Sequence, residues 1–274
     1  VTELPPSPEP LQAVYLPLEA MAEGGYDKIL RENGCNAVIV DMKDGRGTLG
    51  FVSDQPLAIA SGASAADPAR NDAIRTLNRE EGLYTIARIA CFRDDTLTAQ
   101  RPDLSLLRAS GSPWRDKNGD SWLAPASGDV QGYLLDLCRE AAELGFDEVL
   151  LTQCHYPTDG NLEELSDAYE DSEASAAVLE DFYSEVRALL VVEGVRLSIL
   201  WEEAPSDDQG RPLSGQTISG AMLGANRIWV SESQEHAVQA FDTRQRAQGG
   251  GDVIIIRSDP GEAKTSWSIC PKTF

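Results

Sequence analysis

Residues 36–44 read NAVIVDMKD. Ala37 to Val40 are apolar without a break, and Val38, Ile39 and Val40 are β-branched. A strand with one solvated face alternates apolar and polar residues, whereas a continuous run belongs to a parallel strand covered on both faces. The polar side chains Asp41, Lys43 and Asp44 arrive only at the carboxyl end of the run. This one strand therefore predicts a helix-covered parallel sheet with chemistry gathered at the strand ends.

Working outward, strands and helices alternate along the whole chain. LQAVYLP (11–17) is a first strand, followed by a helical stretch over 20–33 that Asn33-Gly34 closes. TLGFV (48–52) is a short excursion. DPARNDAIRTLNREEG (67–82) has an Asp cap, Pro in the first turn and a closing Gly. LYTIARIACF (83–92) is the third strand and FDEVLLT (146–152) the fourth, with an amphipathic helix over 129–145 between them. The long polar segment 93–127 places Trp114 and Trp122 on either side of a D-K-N-G-D turn. A helix over 173–194 leads to strands at 195–203, 227–233 and 252–258, with a helix at about 234–247, and TSWSIC (265–270) is a candidate eighth strand. Seven or eight βα steps without a break in composition predict an α/β fold, a (β/α)8 TIM barrel with an irregular or incomplete C-terminal part. The domain spans 11–274, after a Pro-rich linker at 1–10.

The charge narrows the function. A net charge of −22 and a pI near 4.4 would repel phosphates, which excludes nucleic acid as a partner. No apolar run approaches the roughly 20 residues of a spanning helix, so no membrane insertion is expected. The junction after the first strand, LPLEAM, lacks the Gly-rich turn of a dinucleotide site, and no cofactor is expected. The Pro-rich start reads as a tether that would place the domain outside the cytoplasm or on a bacterial cell surface, with a cytoplasmic domain as the alternative.

In a barrel of this kind functional groups sit at the carboxyl ends of strands. Those ends carry Asp41, Lys43 and Asp44; Arg88, Arg93 and Asp94; Thr152, Gln153, Cys154, His155 and Tyr156; Trp201, Glu202 and Glu203; Glu232; and Arg257 and Asp259. Acids on several strand ends with tryptophans nearby suit a sugar site, because paired carboxylates can protonate a leaving oxygen and stabilise an oxocarbenium-like centre while flat rings stack on sugars. Asp41, Glu202 and Glu203 are the candidate catalytic carboxylates, Trp114 and Trp122 the stacking platforms. Asp41 with Arg88 as a buried ion pair is the competing structural reading. Cys154 and His155 are neighbours on an extended chain, so they point to opposite faces and do not form a nucleophile and base without a bulge. His236, the one other histidine, falls in the helix after strand six. No metal site is expected, and the five cysteines include no CxxC pair.

The blocks NAVIVDMKD, YTIARIACFRD, the tryptophan-flanked turn and GFDEVLLTQCHYPTDG occur in the order found in a family that this sequence resembles: the glycoside-hydrolase-type family of bacterial domains of unknown function, within the glycosidase-type TIM barrels. The resemblance covers roughly residues 12–160 and implies a carbohydrate-handling barrel, acting on or binding a polysaccharide such as a cell-envelope glycan. It carries Lys43, Asp44, Arg88, Trp114 and Trp122 over as ligand contacts, with Phe92 and Asp94 on strand three. At the end of strand four Gln153 and His155 stand where the family has Tyr and Arg, and Gln153, His155 and Tyr156 are candidate ligand contacts by their place at the mouth. Asp147 and Glu148 precede their apolar run and should be structural. One departure stands out: the family's Asp at the end of strand four is Thr152 here. A threonine cannot replace a glycosidase carboxylate. Either Asp41 with Glu202 or Glu203 supplies the acid pair, or the domain is a catalytically inactive binding or interaction module.

Overall fold

A computed structural model describes residues 4, 6–22, 26–166, 172–234, 252–262 and 264–270. Eight parallel strands close into a barrel in chain order: β1 (Gln12–Tyr15), β2 (Ala37–Lys43), β3 (Tyr84–Ala90), β4 (Glu148–Thr152), β5 (Arg196–Leu200), β6 (Arg227–Ser231), β7 (Asp252–Arg257) and β8 (Trp267–Ile269). The helices are α1 (Leu18–Ala22), α2 (Tyr26–Asn33), α3 (Pro56–Ser61), α4 (Ala69–Leu77), α5 (Asp95–Gln100), α6 (Gly128–Glu143), α7 (Ser172–Glu193) and α8 (Ile218–Gly224). TSWSIC does contain the eighth strand. Only three residues long, β8 pairs with β1 and with β7 and closes the barrel. The helix expected at about 234–247, with His236, lies outside the described residues apart from Gln234, the last residue of a 3-10 turn at 232–234.

The run that predicted the fold behaves as its composition requires. Alternation sends Ala37 and Ile39 into a lumen cluster with Ile86, Leu150 and Trp229, while Val38, Val40 and Met42 pack against the helix layer. Both faces are apolar because both are covered. The charged groups at the floor of the lumen have partners. At the floor, fully buried Glu148 accepts from the Tyr84 hydroxyl at 2.9 Å, from Ser198 and from Arg227, and Arg227 also donates to Ser7 Oγ at 2.7 Å. The Pro-rich segment thus touches the underside of the barrel. Asp147, beside Glu148, accepts from the Thr85 backbone N–H at 2.8 Å. Both acids lie at the end away from the mouth.

Two loops above the sheet are fixed by one internal ion pair. Lys43 Nζ lies 3.0 Å from Asp94 Oδ2, and both side chains are 0% exposed. The same ammonium donates to the Ala90 carbonyl at 2.8 Å and the Arg93 carbonyl at 3.2 Å. Asp94 Oδ1 accepts the Leu97 N–H at 2.7 Å and so caps α5. Gly47, at φ +87°, packs so close that an added Cβ would collide with the Asp94 carboxylate. The α5 turn and α3 interrupt stretches that sequence periodicity leaves as loop, since each is shorter than two turns.

Removing one partner of a fully buried pair leaves a charge without compensation. Asp94→Ala is therefore expected to cost about 3–5 kcal/mol in urea unfolding, and the double variant Lys43→Met/Asp94→Leu distinctly less. An Asp94→Ala loss under about 1 kcal/mol, the scale of an exposed pair, would contradict this assignment.

Candidate active site

Strand β4 ends at Thr152 because Gln153 turns into the left-handed region, at φ +48°, a conformation that costs a non-glycine residue energy and recurs at functional sites. The turn separates the next two side chains. Cys154 drops into the helix-side core, where the Tyr183 hydroxyl donates to its carbonyl and Gln216 Nε2 lies 3.7 Å from its sulfur. His155 goes the other way, into a cavity at the barrel mouth of about 190 Å3. The expected separation of the two side chains is what the structure shows, and Cys154, fully buried, does not reach that cavity.

The cavity lies between three loops. Arg93, Asp116, Asn118 and Trp122 come from the segment after β3; Gln153, His155, Thr158 and Asp159 from the end of β4; Glu202, Glu203, Ala204 and Ser214 from beyond β5. Glu202 is placed by Gln216, a buried side chain whose Oε1 accepts the Glu202 N–H at 2.9 Å while its Nε2 donates to the Leu200 carbonyl at 3.1 Å. Trp122 is oriented by Asp116, which accepts its indole N–H at 3.1 Å and also takes the backbone N–H groups of Asn118 and Asp120 at 2.8 and 3.0 Å. The Trp122 and His155 rings sit 5.6 Å apart at 50°. Lys117 reaches Asp159 at 2.6 Å, joining the β3 loop to the β4 loop.

The chemistry of His155 follows from its partners. Nδ1 is 2.7 Å from the Tyr156 carbonyl and Nε2 is 2.9 Å from a Glu202 carboxylate oxygen. A carbonyl and a carboxylate both accept, so a protonated ring satisfies both at once and pairs with an ionised Glu202. Burial opposes the charge, but the Glu202 hydrogen bond and charge and the Tyr156 carbonyl outweigh it, raising His155 above the ordinary imidazole value. Glu202 is shifted the opposite way. Burial favours its neutral acid, yet the hydrogen bond and charge of His155, helped by Arg93, hold it below the ordinary carboxylate value. Glu202 keeps contact with solvent, its side chain 42% exposed.

Of the residues singled out in the sequence, Arg93, Trp122, Gln153, His155, Glu202 and Glu203 meet at this cavity. The others do not, for physical reasons. Asp41 is held by Arg88 through two nitrogens and accepts the Tyr15 hydroxyl at 3.1 Å, so the ion-pair reading is the one seen. Arg88 also donates to Cys270 Sγ at 2.8 Å and lies over the Tyr15 ring. Lys43 is sealed against Asp94, and Asp44 is taken up by its own loop, accepting the Arg46 and Thr48 N–H groups at 2.9 Å each. Trp114 is fully buried with its indole N–H on the Asn161 carbonyl at 2.8 Å, so its face cannot stack on a ligand. Tyr156 is buried below the mouth, its N–H on the Ser214 carbonyl. Thr152, where the family pattern has an acid, is buried, its hydroxyl without a hydrogen-bond partner among the described residues. Sequence reading missed Asp116 and Asp159 as cavity residues; Asp116 opens the D-K-N-G-D turn, the one signal that pointed to it. Among the described residues no cluster of three His, Cys, Asp or Glu side chains suits a metal, and no helix is long and apolar enough to cross a membrane.

The pH dependence of the pair follows from the two shifts. The raised His155 value contributes stability fully present below its ordinary value of 6.5 and lost as pH rises through the raised one. The lowered Glu202 value contributes stability present above its ordinary 4.5 and lost as pH falls through the lowered one. The pair is thus complete between those two pH values. Imidazole NMR, with His236→Gln used for assignment, should show His155 titrating above 6.5 and moving down in Glu202→Gln. A His155 midpoint at or below 6.5 in the unaltered protein would contradict the pairing.

Comparison with known proteins agrees with this barrel. A crystal structure of a hypothetical protein from Ruminiclostridium thermocellum ATCC 27405 is 26% identical, with a TM-score of 0.57, covering 72% of this chain and 98% of that one. Aspergillus fumigatus Ega3, crystallised in complex with galactosamine, is 13% identical with a TM-score of 0.52 over 93% of this chain and 81% of its own. The glycoside hydrolase domain of PelA from Pseudomonas aeruginosa is 12% identical with a TM-score of 0.51, covering 90% of this chain and 83% of that one. At these identities the last two show the fold alone. No curated protein matches the sequence. The model of the DUF4015 family, described as "Putative glycosyl hydrolase domain", matches residues 13–200, well over half of the chain. The chain belongs to that family, and its fold is the closed (β/α)8 barrel of glycoside hydrolases.

Proposed function

We propose that this domain takes a segment of polysaccharide, a cell-envelope glycan by class, into the cavity between the β3, β4 and β5 loops and hydrolyses a glycosidic bond there. The observation that carries the reading is Glu202: an ionised carboxylate at the end of a barrel strand, held by His155 in a cavity that Trp122 lines. An ionised carboxylate suits the group that attacks the anomeric carbon or activates water, rather than the one that protonates the leaving oxygen. Glu203, which lines the same cavity, is the second carboxylate, since Arg88 and Tyr15 occupy Asp41. Trp122, largely buried and held by Asp116, lines the same cavity, which suits sugar contact.

A second reading rests on Thr152. The family position for an acid on β4 holds a buried hydroxyl, and this supports a barrel that holds glycan without cutting it. One experiment separates the two. The protein is incubated with a panel of bacterial and plant polysaccharides, and reducing ends and binding are both measured. Hydrolysis is expected to fall by about 10²- to 10⁴-fold in Glu202→Gln, with affinity largely kept, and Trp122→Ala should weaken binding. Binding with no release of reducing ends would favour the second reading, and turnover unchanged in Glu202→Gln would refute the role of Glu202.

A further inference from the structure

The cavity carries a charge pattern that bears on which glycan it would accept. Asp116, Asp159, Glu202 and Glu203 line it, against Arg93 and His155. Among the described residues, each cation in its wall or at its rim already faces a carboxylate: Arg93 lies 3.4 Å from Asp120, His155 2.9 Å from Glu202, and Lys117 2.6 Å from Asp159. Asp116, whose carboxylate takes the neutral N–H groups of Trp122, Asn118 and Asp120, adds negative charge to those three pairs. A sugar acid entering here would meet carboxylates, with the lining cations already engaged, and like charges brought together in a partly closed site repel strongly.

A neutral sugar is indifferent to that field, and an amino sugar is drawn by it. A ring ammonium has three N–H donors and no acceptor, whereas carboxylate oxygens only accept, so the two match without rearranging the site. The Glu202 carboxylate gives one oxygen to His155 and keeps its side chain 42% exposed at the cavity, open to a second donor. The net charge of −22 over the chain works in the same direction, raising the local concentration of a polycation around the mouth.

We propose that the ligand is a glycan bearing free amino groups, a cationic amino-sugar polymer, whose ammonium groups meet the carboxylates of this cavity. This rests on the glycan reading above and narrows it to one chemical class. The selectivity is electrostatic, so it weakens as salt screens the site and disappears when the amines are acetylated.

Calorimetry on the whole chain, at about pH 5.5 where most of the sugar amines are protonated, tests this with matched probes: hexamers of deacetylated glucosamine and galactosamine, their fully N-acetylated forms, cellohexaose, and an oligouronate. The deacetylated oligomers are expected to bind at least about tenfold more tightly than the acetylated and neutral ones, a gap of about 1.4 kcal/mol. The gap should close in about 0.5 M salt and narrow in Asp159→Asn, which removes one carboxylate from the rim. Acetylated, neutral or acidic oligomers binding as tightly as the amines would overturn the amino-sugar inference and leave the glycan reading standing. No binding by any of these, nor by a broad glycan array, would overturn both.

Discussion

Closing eight parallel strands into a barrel gives every inward side chain the same narrow lumen, and a charged group sent there needs a partner within the protein. That constraint sorts the charged residues of this chain. Glu148 and Arg227 meet at the floor, with Tyr84, Ser198 and Ser7 around them. Asp41 and Arg88 meet higher up, level in the β2–β3 register. Lys43 and Asp94 meet just outside the strands and tie their loops together. Charges used in this way are structural, since a buried group that loses its partner costs far more than the pair contributes. What remains at the mouth is the set that the lumen has not consumed, and it includes His155 with Glu202, whose carboxylate still touches solvent.

The fold was legible in NAVIVDM because both faces of a strand in a covered parallel sheet are apolar, and the continuous run leaves few alternatives. The eighth strand was legible only as a candidate. Three residues carry little pattern, and closure onto β1 is a long-range event. Short helices such as α3 and α5 were illegible for the reason that a helix under two turns has too few positions to show a period.

The site was half legible. Strand ends point to the mouth, so Glu202, His155 and Gln153 could be named from sequence. Whether a strand-end charge is free for chemistry depends on its neighbour across the sheet. Register made Asp41 a partner of Arg88, and a bulge between Asp41 and Lys43 accompanies the turn of Lys43 onto Asp94. Of two tryptophans flanking one turn, the loop buried Trp114 and brought Trp122 to the cavity. Asp116 and Asp159 reach the cavity through loop folding, which spacing alone does not encode. The positive φ at Gln153 decides that His155 rather than Cys154 faces the mouth.

A barrel shared by enzymes of many kinds does not by itself specify an activity. Here the specific content is an ionised Glu202 held by an imidazolium, beside an oriented Trp122, in a cavity lined by more carboxylates than cations. The most direct measurement is a crystal structure with a bound oligosaccharide. A sugar ring against Trp122, with a polar atom about 2.7–3.2 Å from the Glu202 carboxylate, is the predicted result. An oligosaccharide ordered elsewhere on the barrel, with this cavity empty, would contradict it.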